Sequence, residues 1–391
     1  MKKPTVAVIF GSRSTEHDIS ILTALAAVIK PLELSQKCHV LPVYIAKDGH
    51  WYTHAALGDI RLYQSGKLET FLAKQKHLSV AFDKGLNLVV GSGLRSKTYQ
   101  VDIVFPALHG THGEDGEVMA LCELADVPYV GCGVEASVIA MDKVVAKQTV
   151  MAAGIATPAF HVLTKQSFAA DNEGHLQQIT SHLQYPLFVK PAHLGSSIGI
   201  TRVTTKKELF NAIEVALHYD DKALVEEAVP NLIEVTLPIM GNDELRPALL
   251  ERPLVSAEQF FDFDTKYMQG GKKGKSGAKN GKQGAQGYSQ IPADLAQGLY
   301  QKAEQTGLDA YRAIGCTGTA RIDMLIDSKA GTVYFNEVNP LPGSLYAHNW
   351  AKAGISNVQL VTQLVDLAMQ RHAERQMLAT SFATSYLQQF S

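Results

Sequence analysis

The chain has 391 residues, of which 46% are hydrophobic and 19% charged, with a formal net charge of -2. That length is too great for one ordinary core and points to roughly two or three domains of a soluble globular protein. The near-neutral balance argues against a nucleic-acid or membrane-surface protein, and no apolar run approaches a membrane span.

The four cysteines, Cys38, Cys122, Cys132 and Cys316, lack paired or ligand-like spacing, so reduced thiols in a cytosolic setting are expected. The opening MKKPTVAVIF holds an apolar run that stops at Gly11, too short for a secretory signal. Residues 5–10 read as a buried strand, followed by GSRSTEHDIS and a helical pattern to Leu34. This is the first unit of a doubly wound sheet. Helix N-termini at such turns offer N–H groups to ligands, and Glu16 there would suit a cation such as a substrate ammonium. A Ser/Thr–Glu capping box would look the same. His17 and Asp18 read as surface or capping residues. A second strand is expected at 38–46, then a stretch without a motif, then a third strand at 101–106. His109, in ALHGTHGEDG, falls at that strand's carboxyl end, where ligands gather in α/β sheets. Residues 1–140 therefore read as one α/β domain.

From Met141 the character changes. MDKVVAKQTVMAAGIATPAF reads as a helix with a Gly–Ile–Ala–Thr–Pro exit, and YPLFVKPAHLGSSIGI as a strand ending in Lys190 before the small-residue loop Gly195–Ser196–Ser197. A lysine and free backbone N–H groups at such a loop suit phosphates, although no Walker sequence is present. A helix at 206–219 leads to the strand ALVEEAVP, whose Glu226 and Glu227 could read an adenine and ribose or simply be a hydrophilic strand end. Residues 270–287 form a Gly/Lys-rich insert with no apolar anchor. A long basic loop beside a phosphate site reads as a lid, with Lys266 and Tyr267 at its base carrying the role. Helices are expected at 293–314 and 356–375, with a tail from 376.

Between those helices lies RIDMLIDSKAGTVYFNEVNPLPG, where residues 322–326 and 332–338 flank a turn rich in Ser, Lys, Ala and Gly, a hairpin signal. Side chains alternate across a strand. A connection over 327–331 would set Arg321 opposite Glu337 and gather Arg321, Asp323, Glu337 and Asn339 on one face. Ile322, Met324, Ile326, Tyr334 and Val338 would form the other. Two carboxylates and an amide carbonyl beside an arginine make a hard-cation site for an anionic ligand. Magnesium takes few protein oxygens and completes its shell with water and phosphate. An exposed, solvated hairpin would show the same pattern.

The segments GSRSTEHDIS, ALHGTHGEDG, MDK, FVKPAHLGSSIGI, VEEAV, FDTKY, RIDMLID and NEVNPLPG together resemble the D-alanine–D-alanine ligase family of the ATP-grasp superfamily, in order and from Val6 to about Arg371. The resemblance implies a mixed α/β and α+β chain with an ATP-grasp fold behind a Rossmann-like preATP-grasp domain. Its parts would be 1–140, 141–235 and 236–375, the last carrying a lid at 262–292. It implies that Glu16 and His109 lie near the first substrate's ammonium. Ser196 and Tyr267 would close the lid with Glu16. Lys143 and Lys190 would hold phosphates, Lys266 would contact the nucleotide, and Glu226, Glu227 and Val229 would form the adenine edge. Asp323, Glu337 and Asn339 would bind two Mg²⁺ ions, with Mn²⁺ as a substitute. Arg321 and the Gly343 N–H would stabilise the acyl phosphate and the oxyanion. The implied partners are ATP and amino acids, in a cytoplasmic homodimer that serves peptidoglycan synthesis.

Four departures are specific to this chain, the first two being Gly11–Ser12 where the family has Gly–Gly and the long Lys/Gly insert in the lid. Ile233 stands where the family has its ribose glutamate, with Glu234 one place on. The segment after Gly343 reads SLYAHNW, with His348 at the position of a serine that holds the second substrate's carboxylate. Ser344, the Leu345 N–H and His348 are the candidate replacements. A ligase with another acceptor and a non-catalytic ATP-binding relative are the alternatives to a D-alanine–D-alanine ligase.

Overall fold

The computed structural model describes residues 3–195, 197–254 and 289–379. β1 (Thr5–Gly11) is an apolar run buried along nearly its whole length. It is central because β2 (His39–Ile45) pairs with it in parallel on one side and β7 (Ile103–Pro106) on the other. β3 (Trp51–Thr53) adds an antiparallel edge, giving the order β3-β2-β1-β7. The stretch that carried no sequence motif contains a small antiparallel sheet of β4 (Leu78–Phe82), β5 (Leu86–Val90) and β6 (Lys97–Val101). One face of the first sheet, with Val8, Phe10 and Phe105, packs on Val28 and Leu32 and on Leu360, Val361 and Leu364 of the helix Asn357–Gln376. The carboxyl ends of the parallel strands β1 and β7 bring the Glu16 and His109 loops to one edge.

His17 is not a surface residue. It is 3% exposed, and its ring nitrogens lie 2.6 Å from Ser12 O and 3.0 Å from Tyr44 Oη. A polar side chain turned inward at a helix start needs such partners.

The second sheet has the order β10-β9-β11-β8, from β8 (Phe160–Thr164), β9 (Leu187–Pro191), β10 (Thr201–Val203) and β11 (Lys222–Glu227). The helix Lys206–Tyr219 starts at a Thr205/Glu208 capping box and buries Leu209, Ala212, Ile213, Ala216 and Leu217, the three-four spacing of one helical face. These pack on Val189 and Val225. Alternation then puts Lys190 and Glu226 on the opposite face.

The third sheet has the order β13-β12-β16-β17, from β12 (Leu232–Met240), β13 (Arg246–Pro247), β16 (Thr319–Asp327) and β17 (Thr332–Asn339). Between β13 and β16 lies the short antiparallel pair β14 (Arg252–Pro253) and β15 (Ser289–Gln290). The helix Gln297–Ile314 packs against Val235, Leu237, Ile322 and Met324 so closely that a methyl group at Gly307 would lie 2.8 Å from Leu237 Cδ2.

The β16–β17 hairpin forms, but in a different register. Asp327 already pairs with Thr332, so the connection is shorter than expected. A bulge then inserts one residue, and Arg321 lies opposite Asn339 and Asp323 opposite Glu337. A slip of one residue would send the acidic set into the core. The bulge restores it to the site face. The shorter connection is also why Val333 and Phe335, opposite Ile326 and Met324, are buried where Tyr334 was expected.

Candidate active site

Arg321 and Asp323 are next-but-one neighbours on β16. The guanidinium donates from Nε to Asp323 Oδ1 at 2.7 Å and from Nη2 to Oδ2 at 2.5 Å. Asn339 Nδ2 donates to the same carboxylate at 3.2 Å. The guanidinium also stacks over the Tyr346 ring, 4.9 Å from its centroid. Glu337 faces Lys143 Nζ at 3.8 Å, with its side chain 34% exposed. Asp323, Glu337 and Asn339 therefore offer hard oxygen donors only, at a partly open edge, which fits Mg²⁺ better than a softer metal.

Lys143 opens the helix Lys143–Ala152, and Asp142 is its N-cap, accepting from Val144 N at 2.9 Å and Val145 N at 3.2 Å. Lys143 Nζ donates to Leu194 O at 2.6 Å, so this helix and the loop after β9 meet at one ammonium. One turn on, Lys147 is fully buried and lies 3.0 Å from Glu226 Oε2. Lys190 pairs with Glu226 Oε1 and reaches Asn336 Oδ1, the bulge residue, at 3.3 Å. Burial alone would raise the Glu226 carboxyl, but Lys147 and Lys190 outweigh it and hold it at about 2. Burial pushes the Lys147 ammonium down. Two cations thus share one anion beside β17. That net positive charge can meet a polyphosphate once Lys190 is drawn toward it.

Glu226 consequently directs its side chain into the protein, and only its main chain remains for an adenine edge. Glu227 Oε1 accepts from Gln184 N at 2.7 Å, and Val229 is half-buried just past the strand. Glu234 pairs with Leu325 and so shares the β12 face of Thr236, which lies opposite Asp323. Ile233 turns to the core side and packs against its cluster. Alternation therefore puts Glu234, rather than Ile233, on the face of Asp323.

Glu16 lies between two loops. A methyl at Gly110 would lie 3.0 Å from Glu16 Oε2, and one at Gly195 3.1 Å from it. Glu114 Oε1 accepts from Gly110 N at 2.8 Å. Burial, then the neighbouring Glu16, pushes the Glu114 carboxyl up to about 8, so this acidic pair carries less than its formal charge near neutral pH. His109 is 4% exposed and lies 2.8 Å from Thr23 Oγ1 through Nε2. Thr23 Oγ1 in turn accepts from Ser344 N at 3.0 Å. Burial holds the His109 imidazole down at about 4, and it also bonds the Leu341 main chain. Neutral His109 therefore braces the turn around Gly343, which is half-buried, from both ends.

The acceptor candidates all lie on the segment that follows Gly343. Leu345 N donates to Pro342 O at 2.8 Å, and the Leu345 side chain is buried. His348 Nε2 lies 2.9 and 3.1 Å from the two Glu251 carboxylate oxygens, and Asn349 Nδ2 donates to Glu251 Oε2 at 3.1 Å. Both groups thus have partners within the protein. Ser344 is exposed. Ser344, Leu345 and Tyr346 all have left-handed backbone, with φ of 50°, 52° and 51°, a strained run that positions Tyr346 under Arg321. Ser196, Lys266, Tyr267 and the 270–287 insert lie outside the described residues. Sequence reasoning missed Thr23, Glu114, Lys147, Glu251 and Asn336. A lysine one turn after Lys143 was the one visible hint.

The N-terminal region matches the family model "D-ala D-ala ligase N-terminus" over residues 5–132, and the remainder matches "D-ala D-ala ligase C-terminus" over residues 149–366. The chain is 34% identical to the D-alanine–D-alanine ligase of Chloroherpeton thalassium over 386 residues, covering 96% of this chain and 99% of the relative. It is also 34% identical to that of Natranaerobius thermophilus, covering 98% and 100%. Among solved structures, the D-alanine–D-alanine ligase of Coxiella burnetii superposes with a TM-score of 0.78 at 27% identity, covering 96% of this chain and 97% of that one. The VanG D-Ala:D-Ser ligase of Enterococcus faecalis superposes with a TM-score of 0.77 at 30% identity, covering 94% and 100%.

Proposed function

Because the chain belongs to the D-alanine–D-alanine ligase family, with its ATP-grasp fold and ATP-dependent ligase activity, we propose how its own residues divide the work of joining two D-alanines for cell-wall precursor synthesis. The observation that carries this reading is the meeting of three cations with one face of the β16–β17 hairpin. Lys143 lies 3.8 Å from Glu337, Lys190 lies 3.3 Å from Asn336, and Arg321 grips Asp323.

In this reading Lys143 and Lys190 hold the triphosphate, and the main chain at Glu226 to Val229 holds the adenine. Glu234 takes the ribose in place of Ile233. Asp323, Glu337 and Asn339 hold Mg²⁺, which neutralises the transferring phosphoryl group when bound. Glu16 receives the ammonium of the first D-alanine, whose carboxylate attacks the γ-phosphorus to give an acyl phosphate and ADP. The amine of the second D-alanine then displaces phosphate. Arg321 and the Gly343 N–H stabilise the charge that develops on the acyl oxygens. No protein nucleophile is needed, since positioning and charge neutralisation suffice. Ser196, Lys266 and Tyr267 are assigned to the closing loops by resemblance alone. We further place the enzyme in the cytoplasm as a homodimer, with domain limits near residues 140 and 235. Among the described residues no helix is long and apolar enough to cross a membrane.

The experiment is ADP release across D- and L-amino-acid pairs with and without Mg²⁺. Release that is greatest with D-alanine alone and lost on chelation is expected. Equal release with L-amino acids would remove the assignment of the amino-acid half.

A further inference from the structure

His193 stands in the loop after β9, and its contacts reach both the Lys143 helix and the turn before β11. Its main-chain N donates to Asp220 Oδ2 at 2.7 Å, and its Nδ1 lies 2.9 Å from Asp220 Oδ1. On the other side of the ring, Nε2 lies 3.4 Å from Asp142 Oδ2. Asp142 is the N-cap of the Lys143 helix, and Lys222 pairs with the same carboxylate oxygen. The backbone repeats the connection: Lys143 N donates to Ala192 O and Ala192 N to Lys222 O, each at 3.0 Å. Lys143 Nζ then donates to Leu194 O, one residue beyond His193.

A neutral imidazole has one N–H and can donate to only one carboxylate, whereas an imidazolium can donate to both. We propose that His193 is a positioning residue whose imidazolium, held between Asp142 and Asp220, ties the start of the Lys143 helix to the 192–195 loop and so sets where Lys143 meets the triphosphate. This rests on the reading of Lys143 as a phosphate-binding residue. The groups that face the ring are Asp142 from the helix cap, Asp220 and Asp221 from the turn before β11, and Lys222 on that strand. Asp115 lines the shallow cavity beside it. The acidic groups outnumber the lone cation, which favours the charged ring. Hydrogen bonds to Asp142 and then Asp220 raise the His193 imidazole to about 9. Asp142, despite its burial, is held well below the usual carboxylate range by His193 and Lys222. The clamp is therefore closed at neutral pH and opens as pH rises through about 9. His193 is 36% exposed, so its replacement need not disturb a core.

The test is calorimetric titration with a non-hydrolysable ATP analogue and Mg²⁺ at pH 7.5 and 9.5, on the full-length protein. The proteins compared are wild type, His193→Gln, His193→Arg and Lys143→Met, each checked for a cooperative thermal transition. His193→Gln is expected to bind on the order of tenfold more weakly than wild type at pH 7.5. That gap should narrow at pH 9.5, where wild type also loses the clamp. His193→Arg, charged at both pH values, should bind close to wild type at pH 7.5 and retain its affinity better at 9.5. Equal affinity of His193→Gln and wild type at pH 7.5, or a gap that does not change with pH, overturns the proposal. Should His193→Gln fail to fold, a wild-type pH profile in His193→Arg overturns it instead. Lys143→Met separates the premises. If it binds as wild type does, the assignment of Lys143 falls. If it binds weakly while His193→Gln binds normally, only the clamp falls.

Discussion

Glu337 is one-third exposed and meets Lys143 across the site, so its charge serves the site rather than the core. Glu337→Gln should abolish ADP formation while shifting unfolding stability by no more than about 0.5 kcal/mol. Normal turnover in this variant would remove the metal assignment. Arg321 makes a two-nitrogen fork to Asp323 and stacks on Tyr346, geometry a lysine cannot reproduce. Arg321→Lys should lower kcat by about 10²-fold or more, in the manner of a lost oxyanion donor. A loss below about threefold would contradict its role. Lys147 behaves differently because it is wholly buried against Glu226. Lys147→Met leaves Glu226 with Lys190 alone and should cost about 3 kcal/mol in denaturant unfolding. An unchanged midpoint would show that the triad is not coupled.

At the scale of elements, the β16–β17 hairpin carries one extra residue. Deleting Asn336 removes the unpaired residue, so Phe335 stays opposite Met324 and Glu337 opposite Asp323 in an uninterrupted ladder, and the acidic set keeps its face. The deletion should therefore leave a folded chain that still forms ADP, weakened only by the loss of the Asn336 contact to Lys190. Loss of both fold and activity would mean that the bulge itself, and not the register on either side of it, holds the acidic set in place. The hairpin itself was legible from its two strand runs and turn. Its register was not, because a shorter connection and a bulge change it separately, and neither has a composition signal. The amphipathic helix Lys206–Tyr219 was legible to the residue, since its cap and apolar spacing agree. The antiparallel sheet β4–β6 was missed because its strands are short and mixed in polarity. Lys147 with Glu226, and Thr23 with His109, meet only when separate sheets pack, and no local pattern records such partners.

At the scale of the whole molecule, two histidines bend the pH dependence of stability in opposite directions. Burial holds His109 near 4, below its unfolded value of about 6.5. Its contribution is complete above about 6.5 and is lost as pH falls toward 4. His193 is raised to about 9, so its contribution is complete below about 6.5 and is lost as pH rises through about 9. Melting temperature should therefore fall on the alkaline side, and His193→Gln should reduce that fall. An identical alkaline limb in the variant would contradict the ion network. The central claim is that ATP's γ-phosphoryl group passes to the carboxylate of D-alanine at the face shared by Arg321, Lys143 and Lys190. The most direct measurement is mass spectrometry of phosphate released from ATP and D-alanine labelled with ¹⁸O in its carboxylate. The account predicts ADP, D-alanyl-D-alanine and phosphate in equal amounts, with one labelled oxygen in each phosphate. Unlabelled phosphate, or AMP with pyrophosphate, would contradict it.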